Sequence, residues 1–127
     1  MMELAELKPG MKVVDLGSGA GRLLFLAAEH GAVAVGYELN PLLFWWTKIR
    51  SILKKLPSVT VRCQSLYQAD LHDVDVVFAF LFPKLMANLN DKLFSELRPG
   101  SKIVSYTFSI PGRTPLIKKD GIFVYQV

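Results

Sequence analysis

Val13-Val14-Asp15-Leu16-Gly17-Ser18-Gly19-Ala20-Gly21-Arg22 is the stretch that decides how this 127-residue chain folds. An apolar run stops around Asp15, three glycines follow at alternate positions, and a long apolar segment begins at Leu23. That order predicts a strand feeding a tight turn that opens a helix. Glycine reaches positive φ without strain and lets backbone approach a ligand with no Cβ in the way. The helix N-terminus beyond it adds free N–H groups. An ordinary strand–turn–helix corner needs neither three spaced glycines nor a carboxylate at the strand tip, so the stretch points to a nucleotide-like cofactor.

Spacing narrows the ligand. Dinucleotide sites use G-x-G-x-x-G and rest a pyrophosphate on the helix N-terminus. Here the spacing is G-x-G-x-G, with Asp15 two residues ahead of Gly17. A carboxylate there repels a pyrophosphate and suits a ligand with an ammonium group. S-adenosyl-L-methionine carries an α-ammonium, a sulfonium and no phosphate. The stretch resembles motif I of the class I S-adenosylmethionine-dependent methyltransferases.

The remaining segments extend the pattern in both directions. A helical lead-in over Met1–Leu7 ends at Lys8-Pro9-Gly10, and the first strand is predicted at Lys12–Leu16. A helix over Arg22–His30 stops at Gly31, and a second strand, Ala32–Tyr37, delivers Glu38 at its tip. Glu38 lies seventeen positions past Gly21, where a βαβ unit brings a carboxylate to ribose hydroxyls. Asn40 and Pro41 then suit the N-cap and first position of a helix predicted over Leu42–Leu56. Leu42, Trp45, Ile49, Ile52 and Leu56 recur at helical spacing, with Lys48, Arg50, Lys54 and Lys55 elsewhere. Phe44-Trp45-Trp46 therefore reads as core, with part of it available as a partner or peripheral membrane-surface patch.

Val59–Cys63 is the third predicted strand, Gln64–Asp73 a polar loop and Val74–Leu81 a fourth strand running into Phe82-Pro83. A helix over Lys84–Leu97 ends at Arg98-Pro99-Gly100, and a fifth strand spans Lys102–Phe108. Leu116–Lys119 and Ile122–Gln126 flank Asp120-Gly121 as a closing hairpin. The expected fold is α/β: a doubly wound, mostly parallel, Rossmann-like sheet of about seven strands with a C-terminal β-hairpin. Residues 1–127 read as one domain, near the common size for a single core. Right-handed crossovers would set all parallel strand tips on one edge. The expected site gathers there Asp15–Gly21, Glu38, Gln64–Leu66 and Phe80–Pro83.

Composition limits the alternatives. Hydrophobic residues make up 51% of the chain, enough to cover both faces of a parallel sheet. No apolar run approaches the roughly 18 residues of a membrane span, and the N-terminus lacks a signal-peptide core. The single cysteine, Cys63, excludes an internal disulfide or a cysteine-rich zinc site and fits a reducing, cytoplasmic compartment. The net charge of +4 serves solubility as readily as an acidic partner.

With Val35-Gly36-Tyr37-Glu38-Leu39-Asn40-Pro41 added to motif I, the resemblance narrows. The chain is similar to the seven-β-strand protein-lysine methyltransferases that modify mitochondrial adenine nucleotide translocase and the c-subunit of ATP synthase, and to their short prokaryotic relatives. Phe80-Leu81-Phe82-Pro83, Val104–Pro111 and Phe123-Val124-Tyr125 resemble three further segments of that family, so the likeness runs from about Lys12 to Val127. The resemblance implies that Gly17, Ser18, Gly19 and Gly21, beside Asp15, cradle the methionine part of S-adenosyl-L-methionine. Glu38, with Leu39 and Asn40, would meet the ribose; Gln64, Ser65 and Leu66, near Phe80, would frame the adenine. Two departures stand out: Ala20 replaces a frequent acidic residue, and the family's Tyr-x-Pro stretch does not occur within Met1–Lys12.

The expected reaction is methyl transfer to a lysine amine of a protein substrate. Phe80, Phe82, Tyr106 and Phe108 are the candidates for holding that amine by cation–π attraction. Asp70 and His72 are candidate proton acceptors on a nearby loop. Methylation of RNA or of a small molecule is the alternative enzyme reading. RNA is disfavoured because neither a basic stripe nor an Asn-Pro-Pro-aromatic motif is evident. A minimal cofactor-binding module that pairs with a partner subunit or oligomerises is the third reading. No metal is expected.

Overall fold

The computed structural model describes residues 2–127, with side chains from Leu4 onward. In chain order the elements are α1 (Met2–Ala5), β1 (Lys12–Leu16), α2 (Arg22–Glu29), β2 (Val33–Tyr37), α3 (Pro41–Leu53) and β3 (Val59–Arg62). A 3-10 turn at Leu66–Gln68 leads to β4 (Val76–Ala79), α4 (Pro83–Glu96), β5 (Lys102–Tyr106), β6 (Ile117–Lys119) and β7 (Ile122–Gln126). One seven-stranded sheet forms, in the order β3-β2-β1-β4-β5-β7-β6. The first five strands run parallel and β7 lies antiparallel between β5 and β6. The doubly wound sheet with a closing hairpin is the expected architecture.

Near-continuous apolar strands make this sheet because successive side chains point to opposite faces. Val14, Leu16, Val77, Ala79 and Ile103 meet Met86, Leu89 and Leu93 of α4 on one face. Val13, Val76, Phe78 and Val104 meet Leu24, Phe25 and Ala27 of α2 on the other. Each fully buried Leu, Val, Phe or Met side chain contributes about 1.5–3 kcal/mol.

Several elements are shorter than expected. Strand β4 is four residues long, Val76–Ala79, against the expected Val74–Leu81; just ahead of it the Asp75 carboxylate accepts from the Lys12 backbone N–H at 2.9 Å and pairs with Arg98. Thr107 takes φ 74°, so β5 stops at Tyr106 rather than Phe108. Its N–H donates to the Gly121 carbonyl at 2.7 Å. Lys55 turns left-handed at φ 54°, and α3 ends at Leu53, short of the expected Leu56. The N-terminal end of α3 forms as expected: Pro41 opens it, and the Asn40 side chain accepts from the Leu42 N–H at 3.0 Å. The loop after β3 is better anchored than its polarity suggests, because Ala69 and Leu71 are buried in the α4-side core.

One expectation is reversed. The apolar stripe of α3 faces solvent, with Trp45 54% and Trp46 55% exposed. The buried positions of this helix are Thr47 and Ser51. Periodicity finds a stripe but not the side on which the core lies; here Thr47 on the inward side abuts the glycine turn, which leaves room for only a small residue there.

Candidate cofactor-binding site

The chain winds outward from β1 in two directions, to β2 on one side and to β4 on the other. That reversal opens a crevice at the carboxyl ends of the strands, where ligands bind in open α/β sheets. The glycine turn at the end of β1 is tied to the neighbouring tip. Gly17 N–H and Ser18 N–H donate to the Tyr37 carbonyl at 3.0 and 3.1 Å. Glu38 N–H in turn donates to the Arg62 carbonyl at 3.0 Å, which fixes the tip of β2 against β3.

Close approach explains two glycines. Gly21 has φ 83°, and a Cβ there would lie 2.4 Å from Thr47 Cγ2. Thr47, fully buried on α3, donates its hydroxyl to the Gly19 carbonyl at 3.2 Å. Helix and turn are thereby locked together. Gly36, on β2, faces the same turn: a Cβ would lie 2.5 Å from Leu24 Cδ1 and 2.8 Å from Ser18 Cβ and Oγ. Neither Thr47 nor Gly36 stood out in the sequence. A lone Thr between two tryptophans and a lysine was the available signal for the first, and a glycine inside a strand for the second.

Two carboxylates stand beside the turn without a cation between them. Asp15 is 4% exposed, set between Gly36 of β2 and Phe78 of β4. Burial, with the Glu38 charge adding to it, raises its pKa from the ordinary 3.8 to about 7. Burial also raises Glu38, which remains partly exposed. The buried Ser18 Oγ has no hydrogen-bond partner. Buried polar groups of this kind are costly and normally satisfied. An unneutralised carboxylate pair and an orphaned hydroxyl beside an open turn fit a ligand that carries an ammonium and hydroxyls. S-adenosyl-L-methionine has both.

The other expected contacts divide. Gln64 and Leu66 follow the tip of β3; Gln64 lines a hollow of about 280 Å³ with Tyr37, Arg62 and Gln68. Ser65 caps the 3-10 turn, accepting from the Tyr67 N–H at 3.2 Å, while its own N–H donates to Gln68 Oε1 at 3.3 Å. The Asn40 side chain is likewise engaged in capping α3, so both residues offer mainly backbone; Leu39 is exposed.

Past the tip of β4 the chain presents an aromatic cluster. The Phe80 ring lies 5.6 Å from Tyr106 and 6.3 Å from Phe108, and Phe82 lies 5.6 Å from Phe108, centroid to centroid. Phe80, Phe82 and Tyr106 are exposed, and Phe108 is half-buried. Four aromatic rings thus converge at the carboxyl ends of β4 and β5. Asp70 and His72 do not join them. They pair with each other at 2.9 Å and lie within ligand reach of Glu96, in the last turn of α4. That helix runs back from the strand tips, so the Asp70–His72 pair lies away from the aromatic cluster, although Asp70 also lines the hollow that Gln64 borders, which extends to Lys12 at the start of β1.

Residues 15–117 match the family described as the ANTKMT methyltransferase domain. The chain is 36% identical over 133 residues to the adenine nucleotide translocase lysine N-methyltransferase of Mus musculus, covering 100% of this chain and 58% of that protein. It is 34% identical over 123 residues to a protein-lysine N-methyltransferase of Saccharolobus islandicus, covering 91% and 73%. Among solved structures, an RNA methyltransferase from Salinibacter ruber in complex with S-adenosyl-L-homocysteine superposes with a TM-score of 0.92 at 30% identity, covering 98% of this chain and 86% of that one. The chain spans about half the length of the vertebrate lysine methyltransferases it matches. On the glycine turn, the sheet order and these matches together, the chain belongs to the ANTKMT methyltransferase domain family.

Proposed function

We propose that this chain is an S-adenosylmethionine-dependent methyltransferase that acts on lysine side chains of proteins, with residues 1–127 working as one domain. The observation that carries the reading is the aromatic cluster of Phe80, Phe82, Tyr106 and Phe108 at the same sheet edge as Asp15 and Glu38. Lysine methyltransferases among the relatives support the acceptor. The free Cys63 suits a reducing, cytoplasmic setting.

S-adenosyl-L-methionine, when bound, supplies a methyl group already activated by a sulfonium. Gly17, Ser18, Gly19 and Gly21 would face its methionine part, where Asp15 balances the ammonium and Ser18 Oγ gains a partner. Glu38 would accept from the ribose hydroxyls, with Leu39 and Asn40 beside it; Gln64, Ser65 and Leu66 would border the adenine. On the acceptor side, the lysine ammonium would give its proton to solvent, and Phe80, Phe82 and Tyr106 would stabilise the positive charge that returns to the nitrogen as it takes the methyl group. A lysine amine has an ordinary pKa of about 10.4, so deprotonation limits how much nucleophile is present.

RNA methylation is the second reading, favoured by the close superposition on the RNA methyltransferase of Salinibacter ruber. Incubating the chain with cell extract and methyl-labelled cofactor separates the two. The lysine reading expects label that survives ribonuclease and is recovered as methyl-lysine after acid hydrolysis. The transfer rate should rise across roughly pH 7 to 9, since only the neutral amine attacks. Phe82→Ala should cut turnover more than cofactor affinity. Label lost to ribonuclease would establish the RNA reading instead.

A further inference from the structure

We propose that α3 is a membrane-docking helix that lies flat on an anionic lipid bilayer. At 3.6 residues per turn, Leu42, Trp45, Trp46, Ile49, Ile52 and Leu53 fall on one arc of roughly 120°. All six are exposed, Leu42 by 81% and Leu53 by 75%. Thr47 and Ser51 occupy the inward face, so the helix is amphipathic with its apolar side outward. A soluble monomer rarely displays so contiguous an apolar face without a use for it.

Charge identifies what covers it. On the wheel Arg50 borders the arc on one side and Lys48 on the other, and Lys54 and Lys55 follow directly after the last turn of the helix. Aromatic rings hold three of these cations in place: Lys48 Nζ lies 5.2 Å from the Trp45 ring, Arg50 Cζ 5.0 Å and Lys54 Nζ 5.5 Å from the Phe25 ring. Lys48 and Lys55 also line a groove of about 670 Å³ between α3 and β3, with Ile52, Leu56 and Pro57. From Leu39 to Ala69 the sequence has no Asp or Glu, yet it carries Lys48, Arg50, Lys54, Lys55 and Arg62. An apolar strip with a Trp toward each edge and a cation beyond each is the composition of an interfacial helix on anionic lipid.

Other occupants fit less well. A two-fold pairing of this face would set the cations of one copy against those of the other, with no acid in the segment to offset them. Nucleic acid would meet the cations and stack on Trp45 and Trp46, but it would leave Leu42, Ile49, Ile52 and Leu53 in water. Lipid satisfies both halves of the surface. Because α3 begins just after Glu38, docking would also hold the rim of the crevice near the bilayer surface.

Trp45 and Trp46 are the only tryptophans in the chain, so emission reports directly on this face. The chain is titrated with vesicles of phosphatidylcholine alone, with vesicles containing phosphatidylglycerol, and with poly(U). We expect a blue shift and co-sedimentation with the phosphatidylglycerol vesicles, at least roughly tenfold weaker binding to phosphatidylcholine alone, and weakening by salt. Lys48→Glu with Lys55→Glu should lower partitioning by roughly 25-fold or more, at about fivefold per lysine. Leu42→Ser with Ile49→Ser should abolish the shift while circular dichroism stays native. An unshifted emission with anionic vesicles overturns the proposal. So does a blue shift with poly(U) alone, or a dimer of the lipid-free chain that the Leu42/Ile49 variant dissolves. None of these readouts involves a methyl acceptor, so failure here leaves the methyltransferase reading untouched.

Discussion

Asp15 carries an energetic cost that the site converts into selectivity. Its carboxyl titrates near 7 in the folded chain and at the ordinary 3.8 when unfolded, because burial and then Glu38 penalise its charge. Between those values the folded state holds a proton that the unfolded state has released, so this group's contribution to stability falls as pH rises from about 4 to about 7 and stays low above. Asp15→Asn removes the penalty. Urea unfolding at a series of pH values should show the variant gaining on the parent across that window, by on the order of 2–4 kcal/mol at its upper end. A difference that stays flat with pH would mean that the Asp15 carboxyl is not desolvated as described. An ammonium-bearing ligand reverses the penalty, whereas a pyrophosphate deepens it.

Elements show how packing decides what periodicity leaves open. Strand β1 matches its predicted bounds because a buried parallel strand is a plain apolar run ended by glycine. The stripe on α3 was equally plain, yet its orientation depends on what the opposite face touches. Thr47 faces inward because the turn at Gly19–Gly21 approaches too closely for a larger side chain, while Ser51, one turn on, is buried beside the groove between α3 and β3. The same crowding makes Gly36 a point of close contact between β2, α2 and the turn. Gly36→Ala should destabilise the fold by about 1–3 kcal/mol, the usual cost of overpacking. Chemical denaturation measures it, and an unchanged midpoint would show that Leu24 and Ser18 move aside freely. The separation of Asp70 and His72 from the aromatic cluster was similarly illegible. Their loop precedes β4, and only the direction in which α4 returns shows that they lie away from it.

At the scale of the whole molecule, the sheet order brings Asp15, Glu38, Gln64 and Phe80 to successive strand tips along one edge. That convergence was readable because strand–helix alternation and right-handed crossovers dictate it. The bracing by Thr47 and the outward face of α3 were not, since both are tertiary contacts with no local signature. The central claim is that this edge is built for an ammonium-bearing nucleoside and not for a dinucleotide. Calorimetric titration with S-adenosyl-L-homocysteine and with NAD, on the parent chain and on Glu38→Ala, tests it most directly. We predict binding of S-adenosyl-L-homocysteine, no heat with NAD, and a loss of about 1–3 kcal/mol in the variant, the range for a charged hydrogen bond. Tight NAD binding with no response to S-adenosyl-L-homocysteine would contradict the account.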